Sequence, residues 1–100
     1  MPTVTIEQRN PGVFVLKGEL NMQTVPQLRQ QALQMLSGLT GKVSIDLSDV
    51  TRSDSAGLAL LIDWMRLAQA QQLEIQFQHL PQQMLQIARV SELEDLLPIQ

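Results

Sequence analysis

Alternating apolar and polar residues mark the beginning of the chain. In residues 3–8, Val4 and Ile6 fall on one face of an extended segment and polar side chains fall on the other. A second apolar run, VFVLK at residues 13–17, follows the turn sequence Asn10-Pro11-Gly12. Strands joined by so short a turn pair antiparallel, so the pattern predicts a β-hairpin.

Three later segments carry apolar residues at the three- and four-residue spacing of an amphipathic helix. These segments are residues 23–36, 55–71 and 82–89. Thr24 is a residue type that caps helix N-termini, and Pro26 lies in the first turn, where its missing N–H does no harm. Pro81 precedes the third helix, and residues 92–97 predict a short final helical turn.

Two short β-rich segments separate the helices. Residues 42–47 and 73–78 are predicted strands, whereas residues 48–54 are polar and are expected to form a loop. The element order is therefore β-β-α-β-α-β-α, in which strand–helix–strand units pair in parallel through right-handed crossovers. The chain is too short to cover both faces of a sheet with helices. We predict a single α/β domain over residues 1–100, a two-layer sandwich of one mixed sheet with all helices on one face.

The composition excludes several classes of function. The chain has 100 residues, a formal net charge of −3 and no Cys, which excludes a disulfide scaffold, a thiolate zinc site and a cysteine nucleophile. The acidic balance argues against a nucleic-acid partner. His79 is the single His, and the aspartates at 46, 49 and 54 do not predict a metal site, so no metal or cofactor is expected.

No segment predicts a membrane span or a signal peptide. The first ten residues, MPTVTIEQRN, lack a basic region followed by an apolar one. The richest apolar run, residues 58–62, ends at Asp63 and is far shorter than the ~18 residues of a transmembrane helix. We expect a cytoplasmic protein that meets a membrane only through a partner.

The densest chemical signal is IDLSDVTRSDSAGL, residues 45–58. Asp54 or Ser53 is expected to cap the helix that follows, and Ser55 would expose its hydroxyl at the start of that helix. Gly57 indicates a close approach of the helix to the sheet, or of a ligand to the backbone. Three interpretations stay open: a well-capped helix only, an anion-binding helix N-terminus, and a phosphorylation site at Ser55.

The second helix has two apolar faces at 100° per residue. One face carries Leu58, Leu61, Ile62 and Met65, and the roughly opposite face carries Gly57, Leu60, Trp64 and Leu67. Only one face packs on the sheet, so we expect Leu60, Trp64 and Leu67 to form an exposed interaction patch centred on Trp64. The alternative is that neighbouring helices bury this face. The third helix has more apolar residues than its core face can hold, so we expect it to join this interaction surface. Its core positions stay open among four residues: Met84, Leu85, Ile87 and Ala88.

The stretch IDLSDVTRSDSAGLALL resembles the signature of the STAS family, whose fold is that of bacterial anti-sigma-factor antagonists. The recurring pattern is a strand, D-L-S-x-V, and then D-S/T-x-G-L at a helix start. Gly18-Glu19-Leu20 before the first helix and the element order match as well. The resemblance covers nearly the whole chain and implies a STAS-like sandwich that binds other proteins.

Within the family, DSAGLALLIDWMRLA, LPQQMLQIARVS and the LLP ending are similar to the small STAS subunits of Mla phospholipid-transport ABC complexes. That branch implies a subunit without enzymatic activity or cofactor, bound to the ABC ATPase at the cytoplasmic face of the inner membrane. Such complexes act in outer-membrane lipid asymmetry. Together with the helical pattern, the resemblance gives these candidate partner-binding residues: Asp54, Ser55, Ala56, Gly57, Leu60, Trp64 and Leu67.

The antagonist branch implies an alternative function. Its members use a phosphorylated Ser or Thr in this loop, controlled by an anti-sigma-factor kinase. Many of them have two consecutive hydroxyl residues after the motif Asp, whereas here Ala56 follows Ser55. The alternative hypothesis is therefore an anti-sigma-factor antagonist regulated by phosphorylation of Ser55.

Overall fold

The computed structural model describes residues 4–99, which form one mixed sheet and one layer of helices. The elements in chain order are β1 (Val4–Asn10), β2 (Val13–Leu20), α1 (Val25–Leu36), β3 (Lys42–Ser53), α2 (Ser55–Ala70), β4 (Glu74–Gln78), α3 (Gln82–Val90) and a 3-10 helix (Glu94–Leu96). The sheet order is β1-β2-β3-β4, with β1 antiparallel to β2 and the other pairs parallel. The predicted α/β class, element order and mixed sheet are confirmed. Thr3, the predicted start of the first strand, lies outside the described residues.

The two faces of the sheet differ in polarity. Val4, Ile6 and Leu16 are buried and belong to the hydrophobic core, together with residues from all three α-helices. On the opposite face, Lys17 Nζ lies 3.4 Å from Glu7 Oε2. Because α1 packs on β1, α2 on β3 and β4, and α3 on β3, the helices form a single layer over the apolar face.

β3 is longer than the sequence predicts, because residues 48–53 continue the strand instead of forming a loop. The register against β2 shifts twice, and each time β3 has one residue more than β2, between Asp46 and Asp49 and again between Val50 and Arg52. Each extra residue is a β-bulge, which changes the face that later side chains occupy. The buried side chains in this half of β3 are therefore spaced three residues apart: Leu47, Val50 and Ser53.

Asp46 stabilises the first bulge. Its Oδ1 accepts a hydrogen bond from the Ser48 backbone N–H at 2.9 Å and lies 3.0 Å from His79 Nδ1. Burial alone would raise the pKa of the Asp46 carboxyl, but the hydrogen bonds from Ser48 and His79 and the charge of His79 outweigh it and lower this pKa. In the described residues, no group of three or more His, Asp or Glu side chains is arranged to hold a metal ion.

α2 is buried on two faces, which corrects the prediction of an exposed patch. Leu60 and Trp64 are 0% and 1% exposed, and Leu67 is half-buried against the core. The reason is the position of α2, which lies on the sheet and also contacts both α1 and α3. The face with Gly57 packs on the sheet, because Gly57 lies against Leu20 and Ser53 at the ends of β2 and β3. None of the helices within residues 4–99 is long and apolar enough to cross a bilayer.

The core face of α3 consists of Met84 and Ala88, both fully buried. Leu85 and Ile87 are only half-buried, and Val90 at the end of the helix is 86% exposed. Of the four core positions that the sequence left open for α3, the structure therefore buries Met84 and Ala88 completely. Ile87 packs partly against the core, and Val90 is the exposed apolar residue of α3.

Candidate functional site

The motif between β3 and α2 forms a capped helix start at the surface. The Asp54 backbone N–H donates to the Leu20 carbonyl at 3.1 Å, and Asp54 Oδ1 accepts from the Ala56 N–H at 2.8 Å. Asp54, and not Ser53, is therefore the cap. Asp54 and Ser55 are exposed, whereas Ala56 is half-buried. The Asp54 carboxylate already places a negative charge at this helix N-terminus, which disfavours the anion-binding interpretation.

Gly57 allows α2 to approach the ends of β2 and β3 closely. A Cβ on Gly57 would overlap Ser53 Oγ and would lie 3.0 Å from Leu20 Cβ. Both neighbours belong to the buried interior, since Leu20 and Ser53 are 1% and 6% exposed. Of the two explanations offered by the sequence, the close packing of α2 on the sheet is the one observed.

The connection from β2 to α1 forms the wall beside the motif. Thr24 is at the N-cap position of α1, but its side chain makes no cap hydrogen bond, in contrast to the prediction. Its Oγ1 instead donates to the Glu19 carbonyl at 2.7 Å, and the Thr24 backbone N–H donates to the Asn21 Oδ1 at 3.1 Å. These bonds fold the connection tightly against the end of β2 and leave the Glu19 side chain half-buried.

Two adjoining cavities flank the motif. The first has a volume of about 260 Å³ and polar walls that include Glu19, Arg52, Asp54 and Gln83. The second, about 450 Å³, lies along α3 and is lined by Ser53, Asp54, Gln83, Gln86, Ile87, Val90 and Ser91. Ser53, Asp54 and Gln83 line both cavities, which therefore adjoin along these three residues and together form one grooved surface. We call it the motif groove.

Gln83 ties α3 to the motif. Its Oε1 accepts a hydrogen bond from the Ser53 backbone N–H at 3.2 Å. This N–H lies beyond the part of β3 that pairs with β4, which ends at Asp46. Gln83 therefore replaces a missing strand partner, and the bond holds the first turn of α3 next to the start of α2.

The structure separates the predicted partner-binding residues into two groups. Asp54 and Ser55 are exposed at the motif, and Ala56 lies half-buried beside them. The other members do not join an exposed surface: Gly57, Leu60 and Trp64 are buried, and Leu67 is half-buried.

Sequence reasoning predicted that the third helix joins the interaction surface, but it did not identify the wall residues Glu19, Gln83 and Val90. The available signal was the spacing of Gln83, Ile87 and Val90, which places these three side chains on one side of a helix. Glu19 comes from a distant part of the sequence and joins them only through the pairing of β2 with β3.

Comparisons with known proteins agree with this architecture. A family model described as "Mlab, STAS domain" matches residues 4–98. A search of curated proteins returns no match.

Several solved structures are similar in fold. Unphosphorylated SpoIIAA, an anti-sigma factor antagonist, has 18% sequence identity and a TM-score of 0.73, covering 97% of this chain and 87% of that one. An anti-sigma-factor antagonist (STAS) domain protein from Planctomyces limnophilus has 21% identity and a TM-score of 0.72, covering 100% and 90%. An anti-sigma factor antagonist from Mycobacterium paratuberculosis has 24% identity and a TM-score of 0.70, covering 99% and 85%.

Proposed function

The chain belongs to the STAS family, and on this premise we propose that it is a non-enzymatic subunit of an Mla-type phospholipid-transport ABC complex. In this role it binds the ATPase subunit at the cytoplasmic face of the inner membrane and supports its activity. The observation that carries the proposal is the match of residues 4–98 to the family model described as "Mlab, STAS domain". STAS domains mediate protein–protein interactions, and an ATPase is one class of their partners.

The geometry supports docking at the motif groove. Asp54 and Ser55 present exposed polar groups on a helix start that Gly57 packs firmly onto the sheet. Val90 of α3 adds an exposed aliphatic side chain at the other end of the groove. A site with polar and apolar parts on rigid elements is suited to recognising a protein surface.

The side chains at the groove support a binding role more than a catalytic one. A Ser nucleophile needs a base within hydrogen-bond reach. His79 is the single His of the sequence, and it contacts Asp46 near the end of β4 rather than Ser55. The ionisable side chains that line the groove are Glu19, Arg52 and Asp54.

Isothermal titration of the protein with the purified ATPase subunit of the Mla-type complex from the same organism tests the proposal. We expect the wild-type protein to bind and the Ser55→Trp variant to bind at least about tenfold more weakly, because a bulky side chain at this exposed position would prevent close contact with the partner. Ser37→Trp is the matched control, since Ser37 is exposed just beyond α1. Absence of binding by the wild-type protein would contradict the proposal.

An anti-sigma-factor antagonist is the second candidate function. The structures with similar folds include SpoIIAA in both its unphosphorylated and its phosphorylated form. The exposed hydroxyl of Ser55, next to the cap Asp54, is a substrate that a kinase can reach. Phosphorylation there would add about two negative charges beside the Asp54 carboxylate.

Intact-mass measurement separates the two functions. The protein purified from its native host would carry a phosphoryl adduct under the second function, and the adduct would be lost in Ser55→Ala. An unmodified mass, both in the host and after incubation with ATP and the host's anti-sigma-factor kinases, would remove the second candidate.

A further inference from the structure

One end of the motif groove is apolar. Val90 is among the most exposed large hydrophobic side chains of the described residues, at 86%, and Ile87 lies one turn earlier on the same helix. Gln86 and Gln83 complete this wall with neutral amides. An aliphatic side chain placed here by a partner would remove Val90 from water, which favours association.

The other end of the groove is acidic. Glu19 and Asp54 line its polar cavity together with a single cation, Arg52. Arg52 faces Glu19 across the paired strands, yet neither of them forms an ion pair with another described side chain. Two carboxylates and one guanidinium give this end one net negative charge. The Ala56 N–H binds only Oδ1 of Asp54, so the carboxylate oxygen atoms of this end can accept further hydrogen bonds.

Gln83 lies between the two ends. Its side chain lines both cavities, and its hydrogen bond to Ser53 fixes its position. The groove therefore has a polar end with Glu19 and Arg52, a shared middle part with Asp54 and Gln83, and an aliphatic helix edge at the other end.

We propose that the groove recognises a single partner segment that places an Arg or Lys side chain against Glu19 and Asp54 and an aliphatic side chain against Ile87 and Val90. This inference rests on the proposed function, in which the ATPase subunit supplies the segment. The charge pattern selects the partner: a basic residue gains from the two carboxylates, whereas an acidic one is repelled. A second copy of this chain is a poorer occupant, because its net charge is −3.

The test compares three variants in titrations with the purified ATPase subunit. Val90→Ser shortens the aliphatic contact without a fold penalty, because the side chain is exposed. Asp54→Asn removes the charge but keeps an efficient helix cap, and Glu19→Gln removes the charge and keeps nearly the same shape. Leu96→Ser and Asp95→Asn are the matched controls, since both residues are exposed in the 3-10 helix.

We expect Val90→Ser to weaken binding about tenfold at every ionic strength. Asp54→Asn and Glu19→Gln should each weaken it about fivefold at about 50 mM salt and hardly at all at about 500 mM salt, where charges are screened. The controls should bind like the wild type.

The outcomes keep this inference separate from the proposed function. If the ATPase subunit binds the wild-type protein but the three groove variants bind equally well, the inference is overturned and the proposed function stands. If the charge variants bind more tightly, the partner segment is acidic and the inference is also overturned. If the ATPase subunit does not bind the wild-type protein, the proposed function itself fails.

Discussion

Gln83 and Ser53 are thirty residues apart in the sequence, yet the Gln83 side-chain oxygen accepts the Ser53 backbone N–H at 3.2 Å. The bond joins the first turn of α3 to the last residue of β3, directly before the cap Asp54. A displacement of α3 would therefore break this hydrogen bond between the two walls of the motif groove.

Replacing Gln83 by Leu should destabilise the protein by about 1–2 kcal/mol, because the Ser53 N–H would lose its acceptor. Urea denaturation followed by circular dichroism measures the change. Gln83→Glu keeps a side-chain acceptor and should retain most of the stability. Gln82→Leu, at an exposed neighbouring position of α3, is the control and should have a smaller effect.

Gly57→Ala should lower the free energy of unfolding by about 1–3 kcal/mol, because the added methyl group overlaps Ser53 Oγ and crowds Leu20. The same substitution in a Ser53→Ala background should be less harmful, since one of the two obstacles is gone. A double-mutant cycle from urea midpoints gives the coupling. Equal penalties in both backgrounds would show that Ser53 is not the obstacle.

Trp64→Ala should destabilise the fold by about 3–5 kcal/mol, since the buried indole would leave a large cavity. Trp64→Phe should be tolerated much better, because the Trp64 Nε1 has no hydrogen-bond partner among residues 4–99 to lose. Thermal unfolding compares the two variants. A loss of partner binding in Trp64→Ala alone would then reflect unfolding, and a normally stable Trp64→Ala protein would contradict the observed burial.

The Asp46 carboxylate should make the protein sensitive to acid. Its folded-state pKa is lowered, so its contribution to stability is fully present above the ordinary value of about 3.9 and is lost as the pH falls towards the folded-state pKa. Unfolding midpoints measured between about pH 7 and pH 2.5 should show a larger gap between wild type and Asp46→Asn at neutral pH than below about pH 4. A gap that stays constant with pH would contradict this assignment.

Most of the fold is predictable from the sequence because it follows local periodicity. The hairpin alternates at Val4 and Ile6, and the helices follow their apolar spacing. The second half of β3 was missed because two bulges shift its buried residues to Leu47, Val50 and Ser53, a spacing that does not match a regular strand. A bulge depends on the partner strand, which local patterns do not contain.

The site was only partly predictable for a related reason. The cap Asp54 and the exposed Ser55 follow from local chemistry at a helix start. The burial of Trp64 depends on which face of α2 packs on the sheet, and the groove combines Glu19 with Val90 through tertiary packing. A helical wheel ranks the faces of one helix but does not show which neighbours cover them.

The missing side chain at Gly57 has a consequence for the thermodynamics of recognition. Because α2 rests directly on the ends of two strands, the motif cannot slide or tilt without opening the core. A partner would therefore meet a surface that is already ordered, and little conformational entropy would be lost from this side on association. The affinity should then be limited mainly by how much the partner segment itself must be ordered.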